Sequence, residues 1–339
     1  MRVLVIGAGG PAGVNTCRAL HAAGHDVWAQ DDNPDHLIWA KPYLSREPLV
    51  SAIDAGAWVD IEVVMPQPDK QVLRWVTHER RYAAFLPKPQ TVLLCQDKFE
   101  CGLQWRRDGL REDRIDLVEE GTPCYPGQWL RARHGAGAKA AIMVRSREEA
   151  WHWWRFWMNR DPDLEFVLEG GLPGRDYSWC GIYRDGELLV SFARERLEYL
   201  YPHLTPEGLT GTPTRAQVVH NADVDEMAEA AVSSVDADPH GVFCVDLRED
   251  ETGQPRPTEI NAGRFSTTVG LWSLFSPSSN YVALAAELAF GRAEGRLEAF
   301  LKLPEGLILS RHIDCGHQFM LGAKPRFWIE GDFNAVEVK

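Results

Sequence analysis

Apolar runs broken by glycine turns set the pattern of the opening part of the chain. Arg2-Val3-Leu4-Val5-Ile6 is a continuous apolar run that passes through Gly7-Ala8-Gly9-Gly10-Pro11-Ala12-Gly13 into a helical stretch at 14–23. Unbroken apolar strands alternating with helices are the mark of a parallel sheet covered on both faces. A second strand at 26–29 leads to Asp31-Asp32 and a third at 61–65 ends at Pro66, so residues 1–88 read as a Rossmann-like α/β lobe.

Beyond Pro87-Lys88-Pro89 the pattern changes. A helix carries Asp97-Lys98, a charged stretch covers 106–120, and a strand at 128–131 breaks at Gly135-Ala136-Gly137-Ala138-Lys139. Ser146 followed by Glu148-Glu149 predicts a capped helix over 146–157. Trp151, Trp154 and Trp157 recur on it at helical spacing with Trp153 off the stripe, and such a stripe reads as core. A strand at 166–169, the turn Gly170-Gly171-Leu172-Pro173-Gly174, two strands around Asp185-Gly186 and a helix at 223–235 follow.

Next comes the most informative pattern of the chain. Two extended segments, 241–247 and 258–261, are joined by Glu249-Asp250-Glu251-Thr252-Gly253-Gln254-Pro255, which predicts a hairpin. Side chains alternate along a strand, so Glu259 and Asn261 share a face and Asp246 on the partner strand can join them. Three oxygen ligands on one face suit a hard cation such as Mg²⁺, which completes its octahedron with water and phosphate. The competing reading is a hairpin with solvated carboxylates.

Composition narrows the partners. The 339 residues carry 36 basic and 49 acidic side chains, a formal net charge of −13, which argues against nucleic-acid backbones and anionic membranes. No apolar run reaches the roughly 20 residues of a bilayer span. Seven cysteines are scattered without paired spacing in a chain that opens on a strand, so a cytoplasmic protein is expected. In Asp314-Cys315-Gly316-His317 a packed thiol and an ordinary histidine are expected rather than a metal site. The opening glycine turn matches a dinucleotide fingerprint if Ala12 takes the third position, with Asp31 or Asp32 as the ribose acid. A nicotinamide-dependent oxidoreductase is therefore a rival expectation, although Pro11 removes an N–H from the phosphate-facing turn.

In their order, these motifs resemble the ATP-grasp superfamily, in its carbamoyl-phosphate-synthetase-like and carboxylate–amine ligase branch. The resemblance runs to about Arg264. It implies an α/β and α+β fold with a Rossmann-like pre-ATP-grasp lobe at 1–88, a small lobe with the phosphate loop at 89–168 and a large lobe with the cation-binding hairpin at 169–339. Asp97-Lys98 matches the family's phosphate-reaching position, and Arg131 the base at the α-phosphate. The loop holding Gly135, Gly137 and Lys139 matches the one that folds over the other phosphates. Glu169 stands at the adenine hinge, in a segment to Gly174 that is one residue longer than usual, so the contact can shift to Gly170 or Leu172. Asp176 stands at the ribose. Asp246, Glu259 and Asn261 match the Mg²⁺ positions, and Arg264 the basic residue beyond them, displaced by Ala262-Gly263.

The implied activity is ATP- and Mg²⁺-dependent: a small acid is activated as its acyl phosphate and attacked by an amine, with release of ADP. Arg264, Arg248 and Arg194, with Arg196 beside it, are the candidates for holding the acid and the transferring group. The implied partners are small-molecule acid and amine substrates, with room for a homodimer. A non-catalytic nucleotide-binding protein is the second alternative.

Overall fold

The computed structural model describes residues 1–45, 60–77, 82–135 and 140–312, together with the backbone of three further strands between 316 and 337. The opening lobe is built around the strand Arg2–Ile6, which is flanked in parallel by Asp26–Gln30 and Val63–Pro66. Val3, Leu4 and Val5 are fully buried, as strands covered on both faces must be. The helix Pro11–Ala22 starts on Pro11, where a missing N–H costs nothing.

The glycine turn is closed by its own chain. A Cβ on Gly13 would lie 2.2 Å from the Gly7 carbonyl oxygen, so Gly13, not Ala12, allows the helix to approach the strand. A Cβ on Gly9 would lie 2.4 Å from that of His36, because the turn beginning at Pro34 packs across it. The Gly9 N–H is donated to Asp31 Oδ2 at 2.9 Å.

The small lobe is a four-stranded antiparallel sheet in the order Asp116–Leu117, Phe166–Gly170, Gln128–Ala132, Ile142–Met143. The helix Arg147–Met158 lies against it, and Ser146 Oγ accepts from the Glu149 N–H at its start. Its core-facing side chains are Ala150, Trp153, Trp154, Trp157 and Met158. Trp153 thus belongs to the packed face, whereas Trp151, which the stripe reading placed there, is not part of that cluster.

A nine-stranded antiparallel sheet forms the large lobe, and Pro255–Ala262, Gly241–Glu249, Asp176–Arg184, Glu187–Tyr199 and Pro213–Val219 are its first five strands in spatial order. The turn at Asp185-Gly186 has φ of 52° and 86°, the left-handed pair that a tight hairpin needs. Both faces of this sheet are covered. On one lie the helices Pro89–Gln96, Lys98–Arg107 and Ala222–Val235, with Cys95, Trp105 and Trp179 in their shared core. On the other, a single core joins Cys180, Phe192 and Cys244 to Val3, Val5 and Leu20 of the opening lobe and to the helix Tyr281–Phe290. Asn15 Nδ2 donates to Thr267 O and Asn280 Nδ2 to Ala19 O across that junction.

Candidate active site

The hairpin forms as its alternation predicts. Gly241–Glu249 pairs antiparallel with Pro255–Ala262, placing Asp246 opposite Glu259 and Cys244 opposite Asn261. Asp246, Glu259 and Asn261 therefore share one face, which turns toward the cleft between the small-lobe sheet and the large one. The side chains of Asp246 and Glu259 are about one fifth exposed, and Asn261 is buried. Each meets a cation of the chain: Asp246 Oδ1 accepts from Arg196 Nη2 at 2.6 Å, Glu259 Oε2 lies 3.9 Å from Lys98 Nζ, and Asn261 Oδ1 accepts from Arg264. Two carboxylates and an amide oxygen on one face are the hard donors that suit a divalent ion of the Mg²⁺ type. No group of three or more His, Cys, Asp or Glu placed to hold a metal ion occurs among the described residues, so on this face the Asn261 amide oxygen is the third donor.

Lys98 reaches the same cleft from the helix packed on the large sheet, and Arg131 from the small-lobe sheet. Asp97 caps the helix Lys98–Arg107 by accepting from the N–H groups of Phe99 and Glu100, and it pairs with Arg133 at 2.8 Å. The sequence placed Asp97 within the helix; as its cap it aims Lys98, whose ammonium also donates to Gly135 O. Burial works against ionisation of Asp97, but Arg133 and the helix N–H groups hold its carboxyl below the usual range. Arg131 donates through Nη2 to Thr258 O at 2.8 Å and pairs through Nε with Glu169 at 2.7 Å.

Glu169 is buried between two guanidiniums, with Arg111 Nη1 at 2.9 Å. Its carboxylate is thus spent on Arg131 and Arg111, and only its backbone is left for a base. The Gly170 and Gly171 N–H groups are donated to Asp113 and to Gly127 O. Asp176 borders the cleft, accepting from Arg196 Nη1 at 3.0 Å and from the Tyr199 hydroxyl.

The three arginines expected at the acid differ in placement. Arg248 lines the cleft and donates through Nε to Gly174 O. Arg264 is held by both oxygens of Asp69, an ion pair that ties the hairpin to the opening lobe. Burial alone would lower its guanidinium, and Asp69 raises it. Arg194 is fully buried beneath the cleft, bonded to Ser178 O and the Ser266 hydroxyl. Burial pushes its guanidinium below the ordinary value. Gly135 borders the cleft in the left-handed region, at φ 99°, whereas Gly137 and Lys139 lie outside the described residues. Cys315 also lies outside them.

Lys98, Arg131, Gly135, Asp176, Asp246, Arg248 and Glu259 line one cleft, although 161 residues separate the first from the last. No family model and no curated protein sequence matches the chain. Solved structures do. An L-amino acid ligase from Bacillus licheniformis superposes with a TM-score of 0.65 at 13% identity, covering 95% of this chain and 81% of that one. The chain has the ATP-grasp fold. Phosphoribosylamine–glycine ligase from Thermotoga maritima gives 0.64 at 15% identity, with coverages of 94% and 83%. The D-alanine–D-alanine ligase from Coxiella burnetii gives 0.60 at 15%, with 88% and 97%.

Arg111, Asp69, Tyr199 and the bridging part of Arg196 are the site residues that the sequence reading missed. Arg111 lies in a charged stretch without periodicity, and Asp69 is 195 residues from Arg264. Only the adjacency of Arg194 and Arg196 on one strand face gave any signal.

Proposed function

We propose that the chain is an ADP-forming, Mg²⁺-dependent ATP-grasp ligase that activates a small carboxylic acid as its acyl phosphate and joins it to an amine. The observation that carries this reading is the convergence of Lys98 and Arg131 with Asp246 and Glu259 on one interlobe cleft. Phosphoryl transfer asks a protein mainly to position groups and to neutralise spread charge, and these side chains suit that task. In this reading Asp246, Glu259 and Asn261 hold the divalent ion, which when bound supplies charge stabilisation at the phosphates. Lys98 beside Glu259 and Arg131 on the small-lobe sheet neutralise phosphate oxygens, with Gly135, Gly137 and Lys139 in the loop above. Asp176 accepts from ribose hydroxyls, and the base contact shifts past Glu169 and the committed Gly170 and Gly171 N–H groups to the backbone of Leu172. Arg248 and Arg264 orient the acid, and Arg194 supports the floor beneath them.

Further elements of the proposal are the lobes at 1–88, 89–168 and 169–339, with the helices of 89–107 completing the core of the large lobe. The substrates are small molecules, with no nucleic-acid or membrane partner. Among the described residues no helix is long and apolar enough to cross a membrane. A cytoplasmic setting suits the six free, buried cysteines there. A homodimer is retained, to be checked by sedimentation.

The oxidoreductase reading loses support at the glycine turn. The turn beginning at Pro34 packs across it, so that even a Cβ on Gly9 would lie 2.4 Å from that of His36. The test is ADP release screened against mixtures of acids and amines, followed by mass analysis of products. Glu259→Gln should abolish ADP formation with the fold intact, a loss of several kcal/mol of transition-state stabilisation. Near-native turnover in that variant would sink the metal assignment, and nucleotide binding without turnover on any pair would favour the non-catalytic alternative.

A further inference from the structure

Arg196 joins two parts of the site that the ligase reading treats as separate. It rises from the strand Glu187–Tyr199 with its side chain only 12% exposed. Nη1 donates to Asp176 Oδ1 at 3.0 Å and Nη2 to Asp246 Oδ1 at 2.6 Å. Asp176 and Asp246 stand on neighbouring strands, with Asp246 opposite Ser178 and Arg248 opposite Asp176, so their carboxylates face each other diagonally. Two like charges at that spacing repel, and a planar guanidinium with two Nη groups can satisfy both at once. The Tyr199 hydroxyl fixes the other oxygen of Asp176.

Building on the ligase reading, we propose that Arg196 is a positioning residue that locks the ribose acid and the cation acid into one unit and limits what Asp246 offers a divalent ion. One oxygen of Asp246 is committed to the guanidinium, so Oδ2 remains for a cation. The fixed positive charge of Arg196 also opposes a divalent ion arriving alone. An anionic triphosphate offsets that charge, so the site favours the ion and the nucleotide together over the bare ion.

The consequence has a sign that a structural role does not share. Replacing Arg196 by Gln should tighten Mn²⁺ binding to the nucleotide-free protein about tenfold, since a nearby unit charge is lost at a partly buried site. The same change should weaken adenosine about tenfold, because Asp176 loses its anchor. Mn²⁺ is followed by the electron paramagnetic resonance of the free ion, adenosine by calorimetry, and folding by thermal melting. Arg196→Lys, which keeps the charge on a single head, should fall between. Asp176→Asn should weaken Mn²⁺, although Asp176 holds no cation, because the released guanidinium closes on Asp246. Should Arg196→Gln fail to fold, Asp176→Asn decides alone, and unchanged or tighter Mn²⁺ binding there overturns the proposal. Both ligands moving the same way in folded Arg196→Gln overturns only the role of Arg196. A wild-type protein that takes neither ATP with Mn²⁺ nor adenosine overturns this role and the ligase reading with it.

Discussion

Glu169 offers the sharpest test of how the cleft is held together. Its side chain is 3% exposed and its carboxylate lies 2.7 Å from Arg131 and 2.9 Å from Arg111, the latter also only 3% exposed. Replacing Glu169 by Gln leaves two guanidiniums facing each other, with Asp113 the remaining carboxylate on Arg111, at 2.6 Å. Breaking a buried ion pair by removing one partner costs about 3–5 kcal/mol, because the survivor stays buried and uncompensated. Asp113 is 26% exposed and relieves part of that, which puts the expected loss near the lower end, about 3 kcal/mol. Against a total stability of about 5–15 kcal/mol this is readily measured by urea unfolding. Arg111→Met should cost less, since Glu169 keeps Arg131. In the double variant the excess charge is gone, so its loss should fall clearly short of the sum of the two. A Glu169→Gln protein within about 0.5 kcal/mol of wild type, or strict additivity in the cycle, would refute the reasoning.

The glycine turn supplies a contrast: Gly13→Ala forces a Cβ to within 2.2 Å of a backbone oxygen and should destabilise by about 1–3 kcal/mol, whereas Gly10→Ala, 3.8 Å from its nearest neighbour, should be tolerated in the same melts. Because the Asp97 carboxyl is held below its usual range, its pairing stabilises the fold above the unfolded pKa of about 4 and is lost as pH falls through the lower folded value. Asp97→Asn should therefore lower the melting temperature at neutral pH, with the gap to wild type closing below about pH 4. A final test concerns the strap after Tyr199, where Glu207 accepts from the Met143 N–H and pairs with Arg145 of the small lobe. Glu207→Gln should raise the rate of limited proteolysis within 200–212, and an unchanged rate would deny the strap a clasping role.

What the sequence made legible was local. Alternation located Asp246, Glu259 and Asn261 on one face, Asp185-Gly186 announced its turn, and Ser146 with two acids behind it announced its cap. These follow from periods and caps that a short window contains. The tryptophan face was misjudged by one residue because several tryptophans fit more than one helical stripe, and packing against the sheet decides between them. Gly13 was passed over for Ala12 because a pattern of spacing does not report which glycine meets a backbone oxygen. Pairings such as Arg264 with Asp69 or Arg111 with Glu169 join segments far apart in sequence, and nothing periodic connects them. Spacing alone did not join Lys98, Arg131 and Asp176 to the hairpin; the fold resemblance did, and all three line one cleft with Asp246 and Glu259.

The core shared by the opening lobe and the large sheet has a consequence for how such chains are recombined. Val3, Val5 and Leu20 are buried in the same cluster as Phe192, Cys244 and Leu284. The lobes are sewn together by Asn15 and Asn280 as well as by the Asp69–Arg264 pair. A cut near residue 88 would therefore split a hydrophobic interior rather than a linker, leaving apolar faces on both fragments. A chimera that borrows its first lobe from a relative would need to bring along the helices of 269–290 that complete the interior. Exchange of the small-lobe sheet and its helix alone, whose cluster lies within residues 118–168, would leave that interior whole and break chiefly polar contacts such as Arg131 with Thr258 O and Arg145 with Glu207.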